Sequence, residues 1–547
     1  MKQPRNHTTN TKIGSANYHQ FAEVPHVNIP RSTFDRSHGY KTTFDAGYLI
    51  PILVDEALPG DTFNTNMTAF ARLSTPISPI MDNMYMDTHF FSIPVRLVWE
   101  NWQQFMGETE PSDPVTTPPA AYAHNVPTMT SPAGGYLEQT LSDYLTIPTK
   151  IAALTHSALW HRAYNLVWNQ WFRDENLQDS LVVDTDNGPD TTTDYVLKRR
   201  GKRHDYFTSC LPWPQKGADV DMPLSGTAPV TGIGKTTTVY PHSVSVYETG
   251  GSGTVTYANT ANINGSATAD YAYYVEEDPG NSGYPNIYAD LSDATAATIN
   301  ELRLAFATQR FLEIQARGGT RYIEVIKAHF NVSSPDGRLQ RTEYLGGGSS
   351  PVNISPVAQT TSTDASGNTT PQGNLAAIGT TVLSNHGFTK SFTEHCLILG
   401  FVSVRADLTY QQGLQRMFSR STIYDFYWPS LSNIGEQAVL NKEIYADASA
   451  TDELTFGYQE RYAEYRYKSS SITGKFRSNA TGTLDFWHLS QDFGSLPALG
   501  NTFIQDTPPV DRVVAVDTEP EFIFDSLFKM KSTRPMPVRS IPGGLHF

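Results

Sequence analysis

Apolar and polar residues alternate along much of this 547-residue chain, with the period of two that lets a strand bury one face and wet the other. After the turn Leu58-Pro59-Gly60-Asp61, the residues Phe63, Met67, Ala69, Ala71 and Leu73 fall at even spacing. Met84 to Trp99 and Thr320 to Val332 are rich in aromatic and β-branched residues and predict further strands. Between Cys396 and Val404 the alternation gives way to apolar residues at both phases. That pattern predicts a strand buried on both faces, at the centre of a two-layer sandwich. The 35 prolines and 39 glycines cut the chain into short segments, as a strand-rich fold requires.

Helical periodicity is confined to two places. Pro148 can occupy a first helical turn, and Ile151, Leu159, Ala163, Leu166 and Val167 then share one stripe of a helix running to about Phe172. Thr298-Ile299-Asn300-Glu301 has the form of a capping box, opening a helix that turns Leu302, Ala305 and Phe306 inward and stops at Gly318-Gly319. Two long segments predict no element. One is the Tyr-, Gly-, Ser- and Thr-rich stretch from Gly217 to Asp293; the other, Gly346 to Thr389, has Asp364 as its only charged residue. Loops of that length are usually functional or ordered by partners.

Charge is sorted by segment. Gly217 to Asp293 holds Asp219, Asp221, Glu248, Asp270, Glu276, Glu277, Asp278, Asp290 and Asp293 against the single base Lys235. Just before it lies the basic run Lys198-Arg199-Arg200-Gly201-Lys202-Arg203. Both ends are basic as well: Lys2, Arg5 and Lys12 precede the first acid, Glu23, and Lys529, Lys531, Arg534 and Arg539 follow the last, Asp525. Such sorting suits a wall with one surface toward a polyanion and another toward the outside. The net charge of −15 argues against a bulk nucleic-acid binder and leaves room for local basic patches. A hydrophobic fraction of 39% fits an ordered chain, and the length calls for several domains or one domain with long insertions. Cys210 and Cys396 are far apart and belong to no metal-binding spacing, so neither a disulfide framework nor structural zinc is expected. The basic start has no apolar stretch behind it, and no segment is long and apolar enough to span a bilayer.

The chemistry-bearing motifs argue for binding over catalysis. Gly232-Ile233-Gly234-Lys235-Thr236 resembles the end of a phosphate-binding loop, but Pro229 stands where that loop needs glycine. Asp184-Thr185-Asp186-Asn187-Gly188 fails as a calcium loop, because Pro189 takes the obligatory glycine position. His156 and His161 are five residues apart and do not share a helix face. Glu394, His395 and Cys396 sit in a strand whose side chains alternate, which separates a Cys/His pair. No cofactor or catalytic set is therefore expected, although a pair of carboxylates could be drawn from anywhere in the chain. The basic run, followed by Tyr206, Phe207 and Trp213, places phosphate-binding charge beside aromatic faces. Its alternative is a solvated or subunit-pairing basic turn. Tyr424-Asp425-Phe426-Tyr427-Trp428-Pro429 reads as core or subunit interface more than as a nucleobase platform.

Several blocks together resemble one family. Pro30-Arg31-Ser32-Thr33-Phe34-Asp35-Arg36, Met84 to Pro94 with Arg96 to Trp102, Arg200 to Phe207, Gln315 to Tyr322, Glu343 to Gly347 and Gly457 to Arg466 are similar to the major capsid proteins of the Microviridae, in the gokushovirus branch of these small single-stranded-DNA phages. The resemblance implies a mainly β fold, the eight-stranded viral jelly roll, with long loop insertions and a few helices. It also implies a homo-oligomeric icosahedral shell of on the order of 60 copies, with pentamers and three-fold contacts. The partners implied are genomic single-stranded DNA, a small basic DNA-condensing protein and a host surface receptor. The expected organisation is a jelly-roll core from residues 1–216 and 294–547, with basic arms at both ends, interrupted by a surface insertion at 217–293. A glycan-binding or glycan-cleaving β-sandwich and a cytosolic single-strand-binding protein are the rival readings.

Overall fold

The computed structural model describes residues 30–107, 124–220, 299–332, 340–360 and 373–539, with short strand segments between 230 and 289. Ten strands organise the fold: β1 (Ser32–Asp35), β2 (His38–Phe44), β3 (Ile50–Ala57), β4 (Thr62–Leu73), β5 (Met84–Pro94), β6 (Glu343–Pro351), β7 (Asn353–Ala358), β8 (Leu375–Ser391), β9 (Cys396–Ala406) and β10 (Phe522–Arg534). They pair into two antiparallel sheets. The first has the order β1-β10-β4-β8-β7, with β2 also on β10, and the second the order β6-β5-β9-β3. From β2 to β5, and again from β8 to β10, each strand crosses to the other sheet. This is a jelly roll whose eight strands are β2 to β6 and β8 to β10.

Side-chain alternation fixes how the sheets face each other. In β4 the buried positions are Phe63, Thr65, Met67, Ala69, Ala71 and Leu73, and in β10 they are Phe522, Phe524, Ser526, Phe528, Met530 and Ser532. With Phe44, Ile52, Met86, Phe90, Leu383, Ile398, Val402 and Val404 these form one apolar layer between the sheets. Phe90 meets Phe528 across it, with ring centroids 6.4 Å apart. Each such aromatic contributes on the order of 1.5–3 kcal/mol by burial. β9 is buried at ten of its eleven positions, because Leu397, Leu399 and Phe401 on its other face belong to a second layer. Helix α1 (Leu159–Val167) supplies Ala163, Tyr164 and Val167 to that layer, so the second sheet is covered on both sides. The first sheet has no such cover among the described residues. Its outward side chains, Phe70, Val382, Ile523 and Leu527 among them, are exposed.

Glycine resolves part of the segment that predicted no element. Gly346 to Thr389 contains most of β6 together with β7 and β8, and its small residues let the two sheets close on each other at this edge. A Cβ on Gly346 would lie 2.5 Å from the Gly387 carbonyl oxygen, and one on Gly348 would lie 2.5 Å from the His386 ring. Low hydrophobicity therefore marks close backbone approach here, not an irregular loop.

Other expectations are corrected. Pro148 to Ser157 is not helical: Lys150 and Ala153 have positive φ, and Thr155–Ser157 pairs with Thr128–Thr130 as a short antiparallel ladder. The helix begins only at Leu159 and continues past Val167 as a π turn over Trp168–Phe172. Thr320 to Val332 is not a strand but encloses helix α3 (Tyr322–Phe330), after α2 (Ile299–Arg317). Glu324 accepts the Arg321 amide at 3.1 Å, and this local cap prevails over β-branched propensity. α2 ends before Gly318 as expected, but Phe306 points to solvent. Thr298 lies outside the described residues.

The chain divides into two compact units, Met1–Pro212 with Val332–Phe547, and Trp213–Asn331. The second unit thus takes α2 and α3 as well as the acidic stretch, beyond the expected boundary at residue 293. Its described strands are short antiparallel pairs, Val230–Thr231 with Tyr288–Ala289, Ile233–Thr236 with Ala272–Val275, and Ser245–Tyr247 with Thr254–Thr256.

Gly346→Ala should destabilise the subunit by about 2 kcal/mol through overpacking at the sheet junction. Gly494→Ala, whose new methyl would meet nothing within 4 Å, should stay within about 0.5 kcal/mol of the parent. Urea unfolding of the unassembled subunit measures both.

Candidate functional site

The basic run is built into the subunit as a short stretch of extended chain. The amide of Leu49 donates to Lys198 O at 3.0 Å, Arg200 N to Gly47 O at 2.7 Å, Lys202 N to Ile504 O at 2.7 Å and Asp506 N to Arg200 O at 2.8 Å. Alternation along this stretch then sends its side chains against the covered face of the second sheet and the segment around residue 505. Arg199 stacks on Tyr48 at 4.0 Å and donates to the carbonyls of Ala46 and Asp506 at 3.1 and 3.2 Å. Arg200 donates to Asp87 Oδ2 at 2.7 Å and to Ser403 Oγ at 3.0 Å. Lys202 is buried with its ammonium 4.5 Å from the Phe503 ring centroid. Arg203 lies over Tyr85 at 4.2 Å and pairs with Asp407 at 3.1 Å.

Asp87 is the hub of this arrangement. Its carboxylate also receives Arg405 Nη2 at 3.0 Å and Ser349 Oγ at 2.6 Å. Burial alone would raise its pKa, but the Ser349 bond and the two guanidiniums outweigh burial and hold it below the ordinary range. Burial pulls Arg200 down to about 10 and Lys202 down to about 8. Removing the Asp87 charge would leave two guanidiniums without their partner, a loss typically of about 3–5 kcal/mol.

The sequence signal of cations beside aromatics is thus real, but its geometry is cation–π stacking and ion pairing within one subunit. Lys198 alone of the five makes neither an ion pair nor a ring contact with another described residue, and partial burial lowers its pKa. Tyr206 and Phe207, read as stacking faces, are buried in a third apolar cluster with Tyr410, Val439 and Phe456.

The C-terminal candidates divide in the same way. Lys529 and Lys531 are not part of an arm: they lie within β10, on the exposed face of the first sheet. Arg534 turns back to the buried Asp61 at 3.2 Å and to Glu56 O at 2.7 Å. Arg539 is exposed beyond the strand, while Lys2, Arg5 and Lys12 lie outside the described residues.

Lys529 and Lys531 share their sheet face with two cations that sequence reading missed, Lys41 on β2 and Arg72 on β4. Register aligns them in cross-strand rows. Arg72 is opposite Ile523 and Thr380, Lys41 is opposite Asp525, which is opposite Phe70, and Lys531 is opposite Asp35 and Asn64. None of the four cations approaches a carboxylate of a described residue closely enough for a salt bridge, although Asp35, which the Ser37 hydrogen bonds hold below the ordinary carboxylate range, is lowered further by its cross-strand neighbour Lys531. The face therefore offers charge, polar Asn and Thr groups, and the exposed ring of Phe70 on one rigid surface. Arg72 and Lys41 were findable, because each occupies the polar phase of a strand with period two.

A jelly roll with one sheet face covered and the other open is an architecture that viral coat subunits share with lectin and cupin domains. The family model described as "Capsid protein (F protein)" matches residues 22–544. The chain is 47% identical over 544 residues to "Capsid protein VP1" of Bdellovibrio phage phiMH2K, covering 97% of this chain and 99% of that protein. It is 45% identical over 591 residues to the protein of the same description from Chlamydia phage 1 and 36% identical over 552 residues to that from Spiroplasma virus 4, each match covering 97% of this chain and 98% of the relative. The chain belongs to this capsid protein family, and the relatives agree with the Microviridae resemblance.

Buried carboxylates give the subunit a pH dependence. Burial raises Asp506 to about 7 against the pull of Arg405, Lys202, Arg200 and Arg199, and raises Glu521, which accepts the Ala46 amide at 2.6 Å, to about 7 as well. A raised carboxyl pKa means that the folded state keeps a proton the unfolded chain has lost. This stabilisation is complete below the ordinary Asp value of 3.8 and disappears as pH rises to about 7. Asp506→Asn should flatten that fall, leaving the slope due to Glu521. Chemical unfolding of the subunit at pH 4, 5.5 and 7 checks it; an unchanged slope would reject the assignment.

Proposed function

We propose that on the order of 60 copies of this chain close into a T=1 icosahedral shell around circular single-stranded DNA, with the open face of the first sheet toward the genome and the Trp213–Asn331 unit presented outward at the three-fold axes for host attachment. Assembly takes place in the cytoplasm of the host bacterium. The observation that carries the orientation is the set of four exposed cations Lys41, Arg72, Lys529 and Lys531 on one sheet face beside Phe70, in excess over the two carboxylates Asp35 and Asp525 that register places among them. Single-stranded DNA is held by cations along its backbone with apolar or aromatic contacts to its bases, and this face carries both. The basic residues Lys2, Arg5, Lys12 and Arg539 add to the same inner surface; Lys198, whose backbone is tied to Leu49 and Tyr164 on the covered side of the second sheet, is not counted among them. A subunit of net charge −15 neutralises a genome poorly, so a small basic DNA-condensing protein supplies the balance.

Lys529→Gln with Lys531→Gln changes two exposed strand positions and should leave folding intact. Removing two phosphate contacts should make the dependence of log affinity for single-stranded DNA on log salt shallower by roughly 1.4, at about 0.7 per contact. Particles should also lose DNA more readily as salt rises. An unchanged salt slope, or chemical labelling of these lysines on intact particles, would overturn the orientation.

Among the described residues, the three apolar clusters draw none from the Trp213–Asn331 unit. Replacing residues 218–290 by a short Gly/Ser linker should therefore leave the jelly roll folded and impair adsorption to the host. Normal adsorption by such particles would remove the attachment role.

A further inference from the structure

The segment Gln415–Ser432 presents an aromatic surface that the subunit holds in place but does not cover. Its backbone is fixed at several points. Asp425 accepts the amides of Thr422 and Ser421 at 2.7 and 3.0 Å, Trp428 Nε1 donates to Ile423 O at 2.9 Å, and Tyr462 Oη donates to Tyr424 O at 3.1 Å. Beneath it Arg416 donates to the buried Glu443 at 2.9 Å and to Ala438 O at 2.7 Å. Ring contacts continue the surface, with Tyr427 5.3 Å from Tyr462 and 6.1 Å from Tyr465. Yet Phe418 is 70% exposed, Tyr424 64%, Phe426 51%, Tyr427 51%, Tyr465 49% and Trp428 45%.

Exposure on this scale is unusual for a surface meant to stay in water. Each ring can bury roughly 150–250 Å², so six rings about half exposed leave on the order of 600 Å². That approaches the roughly 800 Å² that each partner of a standard specific interface buries. The composition, Tyr, Trp and Phe with Arg between them, is that of interface centres. Trp428, held by its indole hydrogen bond, and Tyr427 and Tyr465, held by ring contacts, lose little further freedom on contact, which favours binding.

Charge decides the kind of partner. A nucleic-acid platform needs cations free to meet phosphates. Here Arg420 lies over Tyr465 at 4.2 Å and pairs with Glu464 at 3.4 Å, Arg461 lies over Tyr462 at 5.0 Å and donates to Tyr424 O at 3.4 Å, and Arg466 pairs with Glu460. With these cations engaged inside the subunit, Lys468 at the neighbouring cavity is the one further cation beside a surface that is otherwise apolar among the described residues. Beside it opens a cavity of about 320 Å³ lined by Met417, Arg420, Tyr465 and Tyr467 among others, able to receive a projecting side chain.

We propose that this surface is an interface to a second copy of the chain, in which the aromatic segment packs on the neighbouring subunit and the cavity receives one of its projecting side chains. The proposal rests on the shell reading above and names one of the contacts that build the shell. A capsid subunit must bury large apolar areas against its own copies, and this is a large, anchored aromatic surface of the jelly-roll unit that its own core leaves uncovered.

Oxidative footprinting of Phe418, Phe426 and Trp428 in unassembled subunits, empty shells and DNA-filled particles tests it directly. Modification should fall at least about fivefold in empty and filled shells alike, as expected for rings moved from solvent into a packed interface. Equal modification in subunits and shells overturns the proposal, and protection confined to filled particles assigns the surface to DNA instead. In parallel, Phe418→Ala with Phe426→Ala should keep the parent unfolding midpoint and raise the subunit concentration needed for assembly by at least about tenfold. Assembly at the parent concentration overturns the proposal and leaves the genome-facing assignment standing. Shells that assemble through this surface but hold DNA independently of Lys529 and Lys531 would do the reverse. Should the double variant misfold, the footprint alone decides.

Discussion

Burial of the second sheet on both faces is the constraint from which the rest of the subunit follows. Once β5 and β9 lie between two apolar layers, any charged group on them must find its counter-charge inside the subunit, because an isolated buried charge costs several kcal/mol. Asp87 and Arg405 are such groups, 3.0 Å apart on neighbouring strands. Arg200 completes the set, and its position is fixed by main-chain bonds to Gly47 and Asp506. The ionic cluster therefore ties together chain segments from four distant parts of the sequence. It does so with geometric specificity that an apolar contact in the same place would lack.

This explains why the most conspicuous feature of the sequence was the least readable. Five cations in six positions look like an external basic patch as long as only neighbours in sequence are considered. Their partners are Asp87, Asp407, Tyr48, Tyr85 and Phe503, none of them within thirty residues of the run in the sequence. Long-range compensation of charge leaves no local signature. By contrast, β4 and β9 were legible from pattern alone, since alternation and its absence report directly on how many faces a strand buries. Gly346 to Thr389 was illegible for the opposite reason: where two backbones approach within reach of a missing Cβ, the usual apolar marker of a strand is replaced by glycine. The strand expected at Thr320 to Val332 failed because short β-branched runs fit either period, and a single carboxylate cap at Glu324 decided for helix.

The aromatic segment around Trp428 shows the limit from the other direction. Sequence reading allowed core or interface, which differ only in whether the covering atoms belong to the same chain. A folded subunit that leaves six aromatic rings of one anchored segment and its neighbour Tyr465 in solvent separates the two, since a core residue would already be covered.

Seen together, the two faces of the jelly roll divide the labour of a coat subunit. The covered sheet fixes the fold and neutralises its own charge internally, so that its basic residues do not repel those of neighbouring copies. The open sheet keeps a small excess of exposed cations on a rigid surface. In the proposed orientation a chain carrying net negative charge meets the genome locally, because screening limits repulsion to about 8–10 Å at ordinary ionic strength. The sign of the surface within that distance matters, and the sum over the chain does not.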